Sequence, residues 1–311
     1  MAIRTAKLLL VALSFAAAPS FAQDYPNKPI LLVAPFAPSG SSDFLSRLVG
    51  QKPTEAWKQQ VIVENRPGGA GNIAMKAVQR AKPDGHTLIL GHVGTLAVNP
   101  EMFAKLPYDP IKEFIPVPMI ATVPTLLVVN PVLPAKDFKE FIALAKAKPG
   151  TIYYGSAGNG SSGHLAMECL KQAAQIDLVH VPYKGTGPMV TDLLGGQTMA
   201  TFTGATPLIP HVKQGKLRPI AVGSAKRISA LPDVPTVAEA RIKGFETSQW
   251  YGIMAPAGTP DAIVRKLSAE LNRILKSPEV VERLTADGSV PAGSTPEELA
   301  KFILAEQKRW G

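Results

Sequence analysis

Residues 30–43 read ILLVAPFAPSGSSD. Ile30 to Phe36 is a near-continuous apolar run, the pattern of a strand buried on both faces of a parallel sheet. Ala37-Pro38-Ser39-Gly40-Ser41-Ser42-Asp43 is a loop rich in Pro, Ser and Gly. Phe44, Leu45, Leu48 and Val49 then recur at helical spacing over 44–57. Pro53 falls inside that segment and predicts a kink or an early stop. The order is strand, Gly/Ser loop, helix. It recurs at 153–174, where a strand over 153–155 leads into Ser156-Ala157-Gly158-Asn159-Gly160-Ser161-Ser162-Gly163-His164 and a helix over 165–174.

Working outward, strands are predicted at 61–64, 87–91, 126–129, 178–181, 219–222 and 250–255, the last of these being the final strand. Helices are predicted at 72–81, 137–148, 262–275, 279–286 and 296–310, with Pro278 at the entry of one and Thr295 as the N-cap of another. Alternation of this kind means a doubly wound α/β architecture.

The two loops carry the functional signal. A Gly/Ser loop at a helix N-terminus turns backbone N–H groups and hydroxyls toward one point, where the helix dipole adds roughly half a positive charge. Ligands of open α/β sheets bind beyond the carboxyl ends of the strands, where these loops lie. Two such nests can grip one anion from both sides. Neither holds Arg or Lys, so backbone amides and the hydroxyls of Ser41, Ser42, Ser161 and Ser162 must do most of the binding, with Lys184 either adding long-range attraction or lying exposed in its loop. Gly40 and Gly158 are expected where the backbone approaches closely or φ is positive. Asp43, in the first turn, is expected to order its helix and loop rather than face an anion. His92, at the end of a strand, is a candidate ligand contact.

Composition narrows the class. The chain has 311 residues, 46% apolar and 18% charged, with a net charge of +9. That supports a packed core and excludes a disordered chain. Aromatics at 6% disfavour a base-stacking platform, and the basic clusters near Lys136-Lys139 and Lys146-Lys148 read as solvated helix faces, so no nucleic acid partner is expected. A single cysteine, Cys169, excludes an internal disulfide and a cysteine-based metal cage, and reads as a small core residue. Arg4 and Lys7, the apolar run Leu8–Ala18 and the small residues of Ser20-Phe21-Ala22 read as a signal peptide over 1–22, cut before Gln23. The run is short of the roughly 20 apolar residues that a membrane span needs.

Enzyme motifs fail. Gly155-x-x-Gly158-x-Gly160 reverses the dinucleotide spacing, no phosphate-binding P-loop occurs, and no serine has glycines at both −2 and +2. His164 and Glu168 share a helix face but no third ligand is placed, so no metal is expected. His180 reads as a structural strand residue. An exported α/β hydrolase using a loop serine is the alternative, and it lacks a placed Ser-His-Asp set.

Several stretches in order resemble one family. They include Tyr25-Pro26-Asn27-Lys28-Pro29-Ile30, the first loop, Val63-Glu64-Asn65-Arg66-Pro67-Gly68-Gly69-Ala70-Gly71-Asn72-Ile73, Pro83-Asp84-Gly85-His86-Thr87-Leu88, Leu106-Pro107-Tyr108-Asp109-Pro110, Tyr154-Gly155-Ser156-Ala157-Gly158, His180-Val181-Pro182-Tyr183-Lys184-Gly185, Leu231-Pro232-Asp233-Val234-Pro235-Thr236 and Ala255-Pro256-Ala257-Gly258-Thr259-Pro260. Over essentially the whole chain beyond the signal peptide, the sequence resembles the Bug-type extracytoplasmic solute receptors of the tripartite tricarboxylate transporter. The resemblance implies a type II periplasmic binding protein: two α/β domains, two chain crossovers and a cleft between them. Domain 1 is expected to join 23–124 to 249–311, and domain 2 to span 125–248. It further implies a monomeric, non-enzymatic periplasmic receptor without cofactor, taking a small carboxylate and handing it to membrane transporter subunits. Expected ligand contacts are Phe36, Ser39, Gly40, Ser41, Ser42, Asp43, His92, Ser156, Ala157, Gly158, Asn159, Gly160, Ser161, Ser162, His164, Tyr183 and Thr203. The chain departs from the family in having Ser39-Gly40 where two glycines are usual, no acidic residue at Phe202-Thr203-Gly204, and His92 where a smaller residue is common.

Overall fold

The computed structural model describes residues 25–311; the signal peptide expected over 1–22 lies outside them. In chain order the elements are β1 (Ile30–Ala34), α1 (Ser41–Trp57), β2 (Val61–Asn65), α2 (Asn72–Gln79), β3 (Thr87–His92), α3 (Asn99–Met102), β4 (Phe114–Val129), α4 (Phe138–Ala147), β5 (Tyr153–Ser156), α5 (Ser162–Ala174), β6 (Val179–Pro182), α6 (Thr186–Leu194), β7 (Ala200–Gly204), α7 (Ile209–Lys213), β8 (Arg218–Val222), β9 (Ser248–Pro256), α8 (Asp261–Leu275), α9 (Pro278–Ala286), β10 (Val290–Pro291) and α10 (Pro296–Trp310). Among the described residues no helix is long and apolar enough to cross a membrane.

The strands run in the order β2-β1-β3-β9-β4-β7-β5-β6, with β8 and β10 also paired to β4. β4 organises this path. It pairs antiparallel with β9 as far as Pro124↔Ser248, then with β7 from Thr125↔Gly204 onward. The chain thus passes between two bodies of structure along β4 and returns along β9. On one side, Leu32, Leu45, Leu90, Ile253 and Leu267 pack on one face of the sheet, and Val33, Met75, Ile89, Trp250 and Ile303 on the other. On the other side, β4 divides its side chains by strand alternation. Leu127 and Val129 join Phe141, Tyr154 and Phe202, whereas Leu126 and Val128 join Met189, Leu208 and Val222.

Three readings need correction. α1 does not stop at Pro53 but runs through it to Trp57, starting at Ser41, inside the loop. The strand predicted at 126–129 is the end of one that begins at Phe114; Pro116, Pro118 and Pro124 hide its first part, and register shifts between Pro116 and Ala121 accommodate the prolines. β7, an Ala-Thr-Phe-Thr-Gly segment, had no apolar run to betray it, and the short β10 follows the strand taken as final. The expected N-cap does form, and Pro278 opens α9. Thr295 and Glu298 make a reciprocal capping box on α10.

The crossover is locked by short side chains. Thr125 Oγ1 lies 2.7 Å from Thr247 Oγ1. Gly223 donates its N–H to Thr125 O and accepts from Thr247 N–H, both at 2.8 Å. A Cβ on Gly223 would overlap both threonine hydroxyls and press on Phe202, 3.0 Å away. Gly223→Ala is therefore expected to lower the unfolding free energy by about 1–3 kcal/mol, the usual range for overpacking. Urea denaturation checks it; an unchanged midpoint would show that the crossover yields.

Candidate functional site

Both Gly/Ser loops sit at strand ends and open into the helices α1 and α5. In the first, Ser39, not Gly40, takes the left-handed conformation, with φ +69°. Asp43 holds it there: one carboxylate oxygen accepts the Ser39 N–H at 3.1 Å and the other pairs with Arg47 at 2.9 Å. Both oxygens are occupied, which gives Asp43 a loop-ordering role. Gly40 is extended, at φ −97°, and serves close approach instead: a Cβ there would lie 3.3 Å from Thr186 at the start of α6. The N–H groups of Gly40, Ser41, Ser42 and Asp43 have no partner among the described residues, as the first turn of a helix dictates.

The second loop is more internally bonded. Gly158 donates to Ser156 Oγ at 3.1 Å, Gly160 to His164 Nδ1 at 3.3 Å, and Ser161 to Gly158 O at 3.1 Å. Ser161 Oγ caps α5 by accepting the His164 N–H. The amides left without a described partner are those of Ala157, Asn159, Ser162 and Gly163. Gly158 itself has φ +122°, and a Cβ on it would lie 2.8 Å from Tyr183 O.

The loops meet through residues that sequence reasoning missed. Gln249, buried on β9, donates to Ser162 Oγ and accepts from the Tyr251 hydroxyl. A Cβ on Gly204 would lie 2.8 Å from Gln249 Oε1 and 2.9 Å from Ser41 Oγ, so the first loop, β7, β9 and the second loop converge there. Thr203, buried beside Gly204, would stand 3.1 Å from a Cβ on Gly163. A glutamine opening an otherwise apolar strand was the one signal that could have found Gln249.

His92 closes the other side. Its Nδ1 accepts the Gly94 N–H at 2.9 Å, its ring lies 4.7 Å from Phe36 and 6.1 Å from Tyr251, and its buried Nε2 has no described partner. Ser42 Oγ is likewise buried without one. Burial pushes His92 down to about 3, so the ring is neutral at ordinary pH. A cavity of about 350 Å³ opens between the two halves, and Phe36, Ala157, Gly158, Asn159, Tyr183 and Lys184 are among the residues that line it. The Tyr183 hydroxyl is tied to Asp192 at 2.7 Å. Another cavity, of about 520 Å³, lies between α8 and the start of α10 and touches neither loop. Among the described residues no group of three or more His, Cys, Asp or Glu could hold a metal.

Ser156 and His180 form a Ser–His pair at 2.7 Å. Ser156 is fully buried, and no carboxylate among the described residues bonds the other nitrogen of His180. An acyl-transfer set needs an accessible nucleophile and an oriented base.

The sequence model described as "Tripartite tricarboxylate transporter family receptor" matches residues 45–311. BugT of Bordetella pertussis is 36% identical over 97% of this chain and 93% of its own. A solved R. palustris protein in complex with adipate has a TM-score of 0.91 at 36% identity, covering 92% of this chain and 96% of that one. MatC from Rhodopseudomonas palustris with bound malate has a TM-score of 0.87 at 34% identity, covering 92% and 98%.

The buried, neutral His92 imposes a pH signature. Its folded pKa lies below the unfolded value near 6.5, so the unfolded chain binds more protons and stability falls as pH drops from about 6.5 toward 3. The slope contributed by this ring is at most about 1.4 kcal/mol per pH unit. Denaturation midpoints between pH 7 and 4 are expected to fall more steeply in the natural protein than in His92→Phe; parallel curves would mean that the ring is protonated in the fold.

Proposed function

We propose a function from one premise: the chain belongs to the tripartite tricarboxylate transporter receptor family. It is a solute-binding protein with a periplasmic-binding-protein fold. In our reading it captures a small organic carboxylate between the two loops and delivers it to membrane transporter subunits. It acts in the periplasm as a monomer, after removal of residues 1–22. The bodies that close on the ligand are 23–124 with 249–311, and 125–248, turning where β4 and β9 cross between them.

One observation supports this most. Two helix starts converge with amides at Ser41, Ser42, Asp43, Ser162 and Gly163 that have no partner among the described residues, on buried residues, beside the Ser42 hydroxyl, which likewise has none there. Buried donors demand an acceptor, and an anion at two helix N-termini supplies one. The relatives with adipate and malate favour a carboxylate. The hydrolase alternative is not favoured, because Ser156 is buried and bonded within its own turn. The protein is not an enzyme in this reading, and a bound carboxylate is released unchanged.

A thermal-shift and calorimetry panel of mono-, di- and aromatic carboxylates tests this. A ligand at a hundred times its Kd is expected to add about 2.7 kcal/mol of stability. Turnover of an ester panel, or silence across all the carboxylates, would refute the reading. Gly158→Val is expected to lower affinity more than tenfold, because the loop cannot keep its φ. Ser162→Ala is expected to leave binding measurable, since the neighbouring amides remain. The reverse order would place the ligand away from the second loop.

A further inference from the structure

Beneath the second loop lies a column of three rings. Tyr154 of β5 stacks on His180 of β6 at 4.9 Å and 22°, and His180 stacks on His164 of α5 at 4.3 Å and 25°. Each imidazole bonds to a different turn of the loop. His164 Nδ1 accepts the Gly160 N–H. His180 Nε2 meets Ser156 Oγ, which in turn accepts the Gly158 N–H at 3.1 Å and lies 3.1 Å from Gly158 O. The serine hydroxyl has one proton. With that proton on Gly158 O, its oxygen can only accept from His180, which fixes the Nε2–H tautomer. The loop is thus held in two places by two neutral rings.

We propose that His164 and His180 are positioning residues of the ligand site: they clamp the Gly158 and Gly160 turns of the second loop, and proton uptake by the stacked pair slackens that loop and weakens ligand binding. The part concerning affinity rests on the carboxylate-receptor reading above. The chemistry is local. A proton on His164 Nδ1 turns the acceptor of the Gly160 N–H into a second donor, and the bond is lost. A proton on His180 Nδ1 leaves the Nε2–H bond to Ser156 in place, and acts instead by putting a charge 4.3 Å from the ring of His164 and within the field of Lys171, which works against the stack. The carboxylate on this face is Glu168, which already accepts from the Tyr154 hydroxyl at 2.6 Å and from Lys171 at 2.9 Å. Tyr154 presents its ring and no charge. Burial, and then the neighbouring His164, pushes His180 down to about 4; burial likewise holds His164 below the usual imidazole range, against the pull of Glu168. Both rings are therefore neutral at pH 7.5, and the loop is tight there.

Nuclear magnetic resonance of the unliganded natural protein tests the clamp without any ligand. The amide signals of Gly158 and Gly160 are expected to titrate between pH 6.5 and 4 with the midpoints of the His164 and His180 ring protons. Static glycine amides, or ring midpoints at or above 6.5, would overturn the proposal. Calorimetry with adipate at pH 7.5 and 5 tests the link to binding. The natural protein is expected to lose at least twofold more affinity across that interval than the double variant His164→Asn/His180→Asn, with His164 carrying most of the difference. Adipate gains the same protons in both experiments, so the difference belongs to the protein. His180→Gln, which keeps an amide donor within reach of Ser156, is expected to bind at pH 7.5 within threefold of the natural protein and with a flatter pH profile. Equal pH profiles in all three proteins would refute the proposal. If no member of the carboxylate panel binds the natural protein at pH 7.5, the functional reading fails, while the glycine titration still decides the clamp.

Discussion

The first turn of an α-helix leaves backbone N–H groups that the helix itself cannot satisfy. In this chain two such turns, at Ser41 and Ser162, are pressed toward each other in a largely buried setting, and much of the surrounding structure follows from that constraint. Asp43 holds Ser39 in a left-handed conformation so that Gly40 can meet Thr186. Gln249 spans from Ser162 to Tyr251 and borders Gly204. These contacts order the loops while the amides of Gly40, Ser41, Ser42, Asp43, Ser162 and Gly163 keep no partner among the described residues. A site made of backbone donors can only be as precise as the loops that carry them, which is why the loops are bonded to their own side chains rather than to the ligand alone.

Positive charge is kept out of the two loops themselves. No Lys or Arg lies in either loop. Arg47 is paired with Asp43, and His92 is held neutral by burial. Desolvating a guanidinium is costly unless an anion stays beside it. Neutral dipoles carry no such penalty, so the same donors suit a cleft that is alternately wet and dry.

The two helix-opening loops were legible because their signals are local: an apolar run, a Gly/Ser cluster, then helical periodicity. The capping role of Thr295 and the ordering role of Asp43 were legible for the same reason, since caps and first-turn acids act within a few residues. What escaped was set by distance in sequence or by conflicting local cues. Three prolines masked the start of β4, whose pairing with β9 overrides their local preference. Ser39 took the conformation expected of glycine, because a carboxylate four residues on compensates it. Gln249 and Tyr251 reach the second loop across 87 residues or more, and no spacing rule connects them. Ser161 and Ser162 looked like ligand hydroxyls. Their oxygens accept from the α5 cap and from Gln249, which fixes the direction of each hydroxyl while leaving its proton free to donate.

Dividing the donors between two bodies has a consequence for release. A hydrogen bond to a charged acceptor contributes roughly 1.5–3 kcal/mol where it is buried. Should the bodies part along β4 and β9, the amides of one loop leave while those of the other remain, and several such bonds are lost together. At 1.4 kcal/mol per factor of ten, losing even two of them cuts affinity by at least a hundredfold. An arginine clamp on one body would keep the anion through that motion, because its charge acts without the partner loop. In the reading proposed above, affinity is instead tied to closure itself. A receptor that must first hold a scarce anion and then surrender it to a membrane partner gains from that coupling, since whatever opens the cleft also empties it.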